Sequence, residues 1–113
     1  IVHRDVTPHN VLLSWEGDVK LSDFGIALAL DRDQRTATGI IKGKNGFIAP
    51  EQLMGRSVTG AADVFALGAT LHTLLAQQSP WDEATPAIAP SQRIAPDLPE
   101  DIAALVQECM ALD

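Results

Sequence analysis

Asp5, Asn10 and Asp23, all near the start of a 113-residue chain, are the side chains whose types and spacing suit a reaction. The first two stand in the run His3-Arg4-Asp5-Val6-Thr7-Pro8-His9-Asn10, five residues apart. Moving a phosphoryl group onto a hydroxyl needs a carboxylate that orients the hydroxyl and takes its proton. It also needs hard oxygen ligands that hold Mg²⁺ against the phosphates. Asp5 suits the first task, and Asn10 and Asp23 suit the second. To meet, Asn10 and Asp23 require the chain between them to double back. Residues 11–14 (VLLS) and 19–21 (VKL) are short apolar runs separated by Trp15, Glu16, Gly17 and Asp18, which predicts a β-hairpin. A turn about Glu16 and Gly17 sets Asn10 opposite Asp23 at its open end, with both oxygens in reach of one cation. Asp5, on the loop entering the hairpin, is then placed beside the metal as a base rather than as a ligand.

Two further triplets, Asp23-Phe24-Gly25 and Ala49-Pro50-Glu51, follow in order, and then Asp63-Val64-Phe65-Ala66-Leu67-Gly68. Together these motifs resemble the signature set of the eukaryotic-type (Hanks-type) protein serine/threonine kinase catalytic domain, over essentially the whole chain. Thr7, the run Gly39 to Lys44 and the Pro-Glu-Gln at 50–52 are similar to bacterial members, myxobacterial ones in particular. Taken singly, the motifs admit another reading: Asp5 and Asn10 as loop caps, Asp23 and Gly25 as a turn. Three in register weigh against it.

The resemblance implies an α+β, protein-kinase-like fold that is partial: a mostly helical C-terminal lobe with a small β-hairpin, residues 1–113 forming one incomplete kinase domain. The N-terminal lobe, with its glycine-rich loop, strand Lys and partner Glu, is expected to lie outside this stretch, a missing partner in cis, so that the fragment alone is expected to be inactive. The implied reaction transfers the γ-phosphoryl group of ATP, with Mg²⁺ (Mn²⁺ as a substitute), to Ser or Thr of protein substrates. Asp5 is the implied base, Asn10 and Asp23 hold the metal, and Leu12 lies under the adenine. His3 and Phe24 are implied to join the spine between the lobes, and Asp63 to hold the catalytic-loop backbone, either in place of or besides acting as a dipole-stabilised helix N-terminal acid. Glu51 is expected to pair with an Arg beyond Asp113. Arg4 is implied to bind a phosphate on the activation segment, which runs from Asp23 to Glu51. There Thr36 and Thr38 are either phosphorylation sites or ordinary loop threonines. Arg32, Arg35, Lys42 and Lys44 otherwise read as a solvated basic loop. A pseudokinase scaffold is the alternative from the binding class. A small-molecule phosphotransferase is a third reading, disfavoured by the activation segment and the Ala-Pro-Glu triplet.

The sequence departs from the family pattern at one pair of positions. Lys usually stands two residues after the catalytic Asp, and Thr follows the Gly eight residues before the Glu of Ala-Pro-Glu; here these are Thr7 and Lys44. The exchange suggests that Lys44 supplies the positive charge and Thr7 the hydroxyl, unless Lys44 points to solvent and Thr7 is a neutral replacement. The tyrosine-specific branch has Ala or Arg after the Asp, so a serine or threonine acceptor is expected.

The supporting elements follow from periodicity. Residues 50–54 predict a short helix. Residues 60–77 predict a strong one, buried on several sides, with Val64, Leu67, Leu71, Leu74 and Leu75 recurring at three and four. From Asp23 to about Gly46 no period holds, and a long surface loop is expected. Residues 79–99 carry five of the seven prolines and read mostly as loop, with room for one short helix. Residues 99–112 predict an amphipathic helix through Ile102, Leu105, Val106 and Cys109. Apolar residues at 46% and charged residues at 20% are ordinary globular usage. A net charge of −7 argues against nucleic-acid partners and against anionic membrane surfaces. Cys109, the single cysteine, cannot form an internal disulfide, and His3, His9 and His72 show no metal-ligand spacing. A reducing, cytoplasmic setting is expected, whether or not the parent is membrane-anchored. No stretch is long enough to span a bilayer.

Overall fold

A computed structural model describes residues 1–23, 46–81, 92 and 94–111. The chain enters through an extended segment and a single 3₁₀ turn, Pro8–Asn10, with Pro8 at its first position where no amide donor is needed. Strands β1 (Val11–Leu13) and β2 (Val19–Leu21) then pair antiparallel. Among the described residues three α-helices follow: α1 (Pro50–Leu53), α2 (Gly60–Ala76) and α3 (Glu100–Cys109). This is the α+β arrangement expected, a small hairpin beside a helical body.

The hairpin register differs by one residue from the expected one. Val11 pairs with Leu21, Leu12 with Lys20 and Leu13 with Val19. Ser14 and Asp18 continue the ladder (Ser14 N–H to Asp18 O, 2.9 Å), and Gly17 N–H closes the turn on Ser14 O at 3.1 Å. The connection is therefore Trp15-Glu16-Gly17, a three-residue loop, in place of a two-residue turn about Glu16 and Gly17. Gly17 takes φ 92° at its end, where a side chain would be strained and glycine is not. Asn10 consequently faces Ser22, whose N–H donates to Asn10 O at 2.8 Å, and Asp23 lies one residue beyond.

Helix α2 is the centre of the core. It starts at Thr59, whose hydroxyl accepts from Ala61 N–H, and ends at Gln77 in a left-handed cap (φ 55°). Its buried residues are Ala62, Phe65, Ala66, Gly68, Ala69, Thr70 and His72. Burial at Ala62, Ala66 and Ala69 is in line with the expected burial on several sides, but the apolar recurrence itself is not the buried face: Val64, Leu67, Leu74 and Leu75 are about half exposed, and Leu71 is half-buried. The leucines recur at helical spacing, but the small residues are what let α2 approach α3. A Cβ on Gly68 would stand 2.6 Å from Cys109 Cβ and 3.0 Å from Met110 Cγ, so the helices cross there. On α3, Val106 and the following Met110 are fully buried, while Leu105 is exposed. Ala49, Ala62, Phe65, Ala69, Trp81, Val106 and Met110 form the core cluster. Trp81 packs its ring 6.1 Å from that of Phe65 and donates from Nε1 to Gly46 O at 2.6 Å.

Two side chains tie the chain after α2 to the helical body. His72, fully buried, accepts from Ala95 N–H at Nε2 (2.9 Å) and meets Gln78 O at Nδ1 (3.1 Å). Since one ring nitrogen must accept from an amide and the other must donate to a carbonyl, the imidazole is the neutral Nδ1–H tautomer. Burial pushes the His72 pKa below its ordinary value of 6.5, against a smaller opposing pull from the Gln78 carbonyl and Asp97. Gln92 Nε2 donates to Met110 O at 2.8 Å, and Trp81 forms an isolated antiparallel bridge with Gln92.

Candidate active site

The site is built on a backbone that its own sequence would not hold unaided. Arg4 lies at φ 71° and Asp23 at φ 51°, the left-handed region that costs a non-glycine residue roughly 1–2 kcal/mol. Around Arg4 the surrounding structure fixes that conformation. Asp63, in the first turn of α2, accepts from His3 N–H through Oδ2 (2.7 Å) and from Arg4 N–H through Oδ1 (2.8 Å). Such charge-assisted bonds are worth about 1.5–3 kcal/mol each, enough to offset the strain. Both amides point at a carboxylate that itself sits at a helix N-terminus.

His3 is buried and spans the loop. Its Nε2 meets Ser22 O at 2.8 Å, and its Nδ1 accepts from Asp5 N–H at 3.2 Å. Taken with that acceptor role, Nε2 carries the proton. The imidazole therefore joins the residue before Asp23 to the residue carrying the Asp5 carboxylate. Val6, the next residue, is buried, and Thr70 Oγ1 of α2 donates to its carbonyl at 3.4 Å.

Asp5 and Asn10 are brought together directly. Asn10 Nδ2 donates to Asp5 O (2.8 Å) and to Asp5 Oδ2 (2.9 Å). Both partners are acceptors, so the amide nitrogen must face them and Oδ1 is the atom Asn10 has left for a cation. The 3₁₀ turn makes this reach possible: Asn10 N–H donates to Thr7 O at 3.0 Å, folding the chain back so that Asn10 is buried against the loop. Thr7 precedes that turn without capping it by its side chain. Leu12 on β1 is 54% exposed, and Asp23 and His9 are exposed.

The donor set fits a hard divalent cation. Asn10 and Asp23 offer oxygen, and among the described residues no group of three or more His, Cys, Asp or Glu side chains could hold a metal. Two protein oxygens suit Mg²⁺, which keeps water and phosphate oxygens in its shell, better than they suit a softer ion.

Glu51 is half-buried on α1 and lines a cavity of about 540 Å³ with Arg56, Val64, Phe65, Glu108 and Cys109. Phe24, Thr36, Thr38 and Lys44, together with Arg32, Arg35 and Lys42, lie outside the described residues. Besides Ser22 and Thr70, a third residue without a site role in the sequence reading touches the loop. Gln52 accepts from Ala49 N–H through Oε1 (3.2 Å) and donates from Nε2 to Arg4 O (3.4 Å). The signal for its first contact was present: a Gln three residues after a helix N-cap position commonly bonds back to the cap amide. No local pattern could announce the second.

Comparison with known proteins identifies the family. The model of the protein kinase domain matches residues 1–113. The chain is 39% identical to the tyrosine-protein kinase MasK of Myxococcus xanthus over 98% of its length. It is 37% identical to the serine/threonine-protein kinase PrkC of Bacillus subtilis over 100%. Identity to the serine/threonine-protein kinase PknA of Mycobacterium tuberculosis (strain H37Rv) is 36% over 95%. It spans 19%, 19% and 26% of those three relatives, respectively. With the family's model matched over its full length, this chain belongs to the protein kinase family.

Proposed function

We propose that this chain carries the catalytic loop of an ATP-dependent protein kinase that phosphorylates serine and threonine, with Asp5 as the base. The observation that supports this best is the pair of hydrogen bonds that Asn10 Nδ2 donates to Asp5, one to its carbonyl and one to Oδ2. It holds the carboxylate by Oδ2 and leaves Oδ1 to orient the acceptor hydroxyl and take its proton. Asn10 Oδ1 and the Asp23 carboxylate would hold Mg²⁺, which would supply charge neutralisation on the phosphates. Leu12 offers an exposed apolar surface to the adenine. Lys44 brings positive charge to the transferring group and Thr7 a hydroxyl to Asp5. Arg4, exposed on the loop, receives a phosphate placed on Thr36 or Thr38. The substrates are proteins, and the setting is cytoplasmic. Among the described residues no helix is long and apolar enough to cross a membrane.

The test is transfer of labelled phosphate from Mg-ATP by the full-length protein to itself and to a basic protein, followed by phosphoamino-acid analysis. Phosphoserine and phosphothreonine are expected, and Asp5→Asn should lower the rate by roughly 10²–10⁴. Phosphotyrosine alone would overturn the acceptor assignment. A Lys44→Ala rate equal to wild type would remove Lys44 from the mechanism.

A further inference from the structure

We propose that Gln52 is a positioning residue for Asp5, coupling α1 to the catalytic loop through the Arg4–Asp5 peptide; this rests on Asp5 being the base. That peptide is bonded at both ends. Its N–H, on Asp5, donates to His3 Nδ1 at 3.2 Å, and its carbonyl, on Arg4, accepts from Gln52 Nε2 at 3.4 Å. Arg4 is the residue at φ 71°, and its own N–H is held by Asp63. A peptide leaving a left-handed residue can rotate toward commoner conformations unless its two polar ends are occupied. Asp63 and His3 restrain the loop from α2 and from within the loop. Among the described residues, Gln52, 48 positions away, is what restrains it from α1.

The carboxamide is needed for this because the two contacts have opposite polarity. Ala49 N–H requires an acceptor, and Arg4 C=O requires a donor. Glutamine provides both at one side-chain length. Glutamate would keep the Ala49 contact and lose the Arg4 contact, placing a carboxylate oxygen against a carbonyl. Gln52→Glu therefore separates helix capping from positioning. If Gln52 only caps α1, the Glu variant behaves as wild type.

The experiment compares Gln52→Glu and Gln52→Leu with wild type and Asp5→Asn in the full-length protein, measuring kcat, the KM for ATP and amide hydrogen exchange at Asp5. The expected result for Gln52→Glu is a kcat lowered about tenfold with KM for ATP within twofold, and faster exchange of the Asp5 amide. Wild-type kcat in Gln52→Glu, with Asp5→Asn inactive, overturns the positioning role and leaves the base assignment standing. An active Asp5→Asn overturns the base assignment itself. Unchanged exchange at the Asp5 amide in both Gln52 variants overturns the coupling whatever the rates.

Discussion

Asp63 shows how one side chain can secure a conformation the local sequence disfavours. Its two oxygens bond the amides of His3 and Arg4, 60 and 59 positions away. Asp63→Ala should cost about 2–4 kcal/mol, since two amides lose a charged acceptor. Asp63→Asn, which keeps one oxygen acceptor, should cost less than the Ala variant. Urea unfolding midpoints check both, and equal midpoints for Asp63→Ala and wild type would refute the restraint. At this scale much of the site was legible. Asp5 and Asn10 stood out as chemistry only with the Asp-Phe-Gly and Ala-Pro-Glu triplets in register behind them; alone, the pair reads as loop caps. Gln52 was not, because its partner lies 48 positions away and no periodicity relates them. Nor does the sequence announce the left-handed Arg4, a conformation imposed by tertiary bonds on a residue that does not prefer it.

Elements were legible in kind and less so in contact. The helices fall where the 3.6-residue period places them, within one or two residues for α2 and up to three for α3. The hairpin is where its apolar runs place it. What failed was the register and the buried face. A one-residue difference in turn length is invisible in a Trp-Glu-Gly-Asp cluster, yet it moves Asn10 from opposite Asp23 to opposite Ser22. The leucine stripe of α2 marks an apolar face, but helix approach is decided by where side chains are smallest. Gly68 and Gly60 test this in opposite directions. At Gly68 an added methyl meets Cys109 and Met110 in a packed crossing, so Gly68→Ala should destabilise by about 1–3 kcal/mol despite its better helix propensity. At Gly60 nothing lies within 4 Å, and Gly60→Ala should stabilise by about 0.4–1 kcal/mol. Denaturant midpoints moving the same way for both would show that propensity, not packing, governs the crossing.

Across the whole molecule, a small core is closed by a few long-range polar ties, and one of them titrates. His72 can accept from Ala95 only while neutral, and its folded pKa lies below 6.5. The unfolded chain therefore binds the proton more readily than the folded one. The contribution of His72 is complete above about pH 6.5 and is lost as pH falls below that value. Urea midpoints should decline from pH 7 to 5.5 in wild type and decline less in His72→Gln, which cannot take up a proton. A wild-type midpoint constant over that range would contradict the neutral tautomer. The packing of Trp81 has a spectroscopic consequence. The chain has two tryptophans, one at the hairpin tip and fully exposed, the other buried against Phe65 and bonded to Gly46. Their emission should separate into a red component from Trp15 that iodide quenches and a bluer one from Trp81 that iodide does not reach. The molecule thus carries its own reporter of core integrity, with an internal reference whose surroundings are aqueous before and after the core opens.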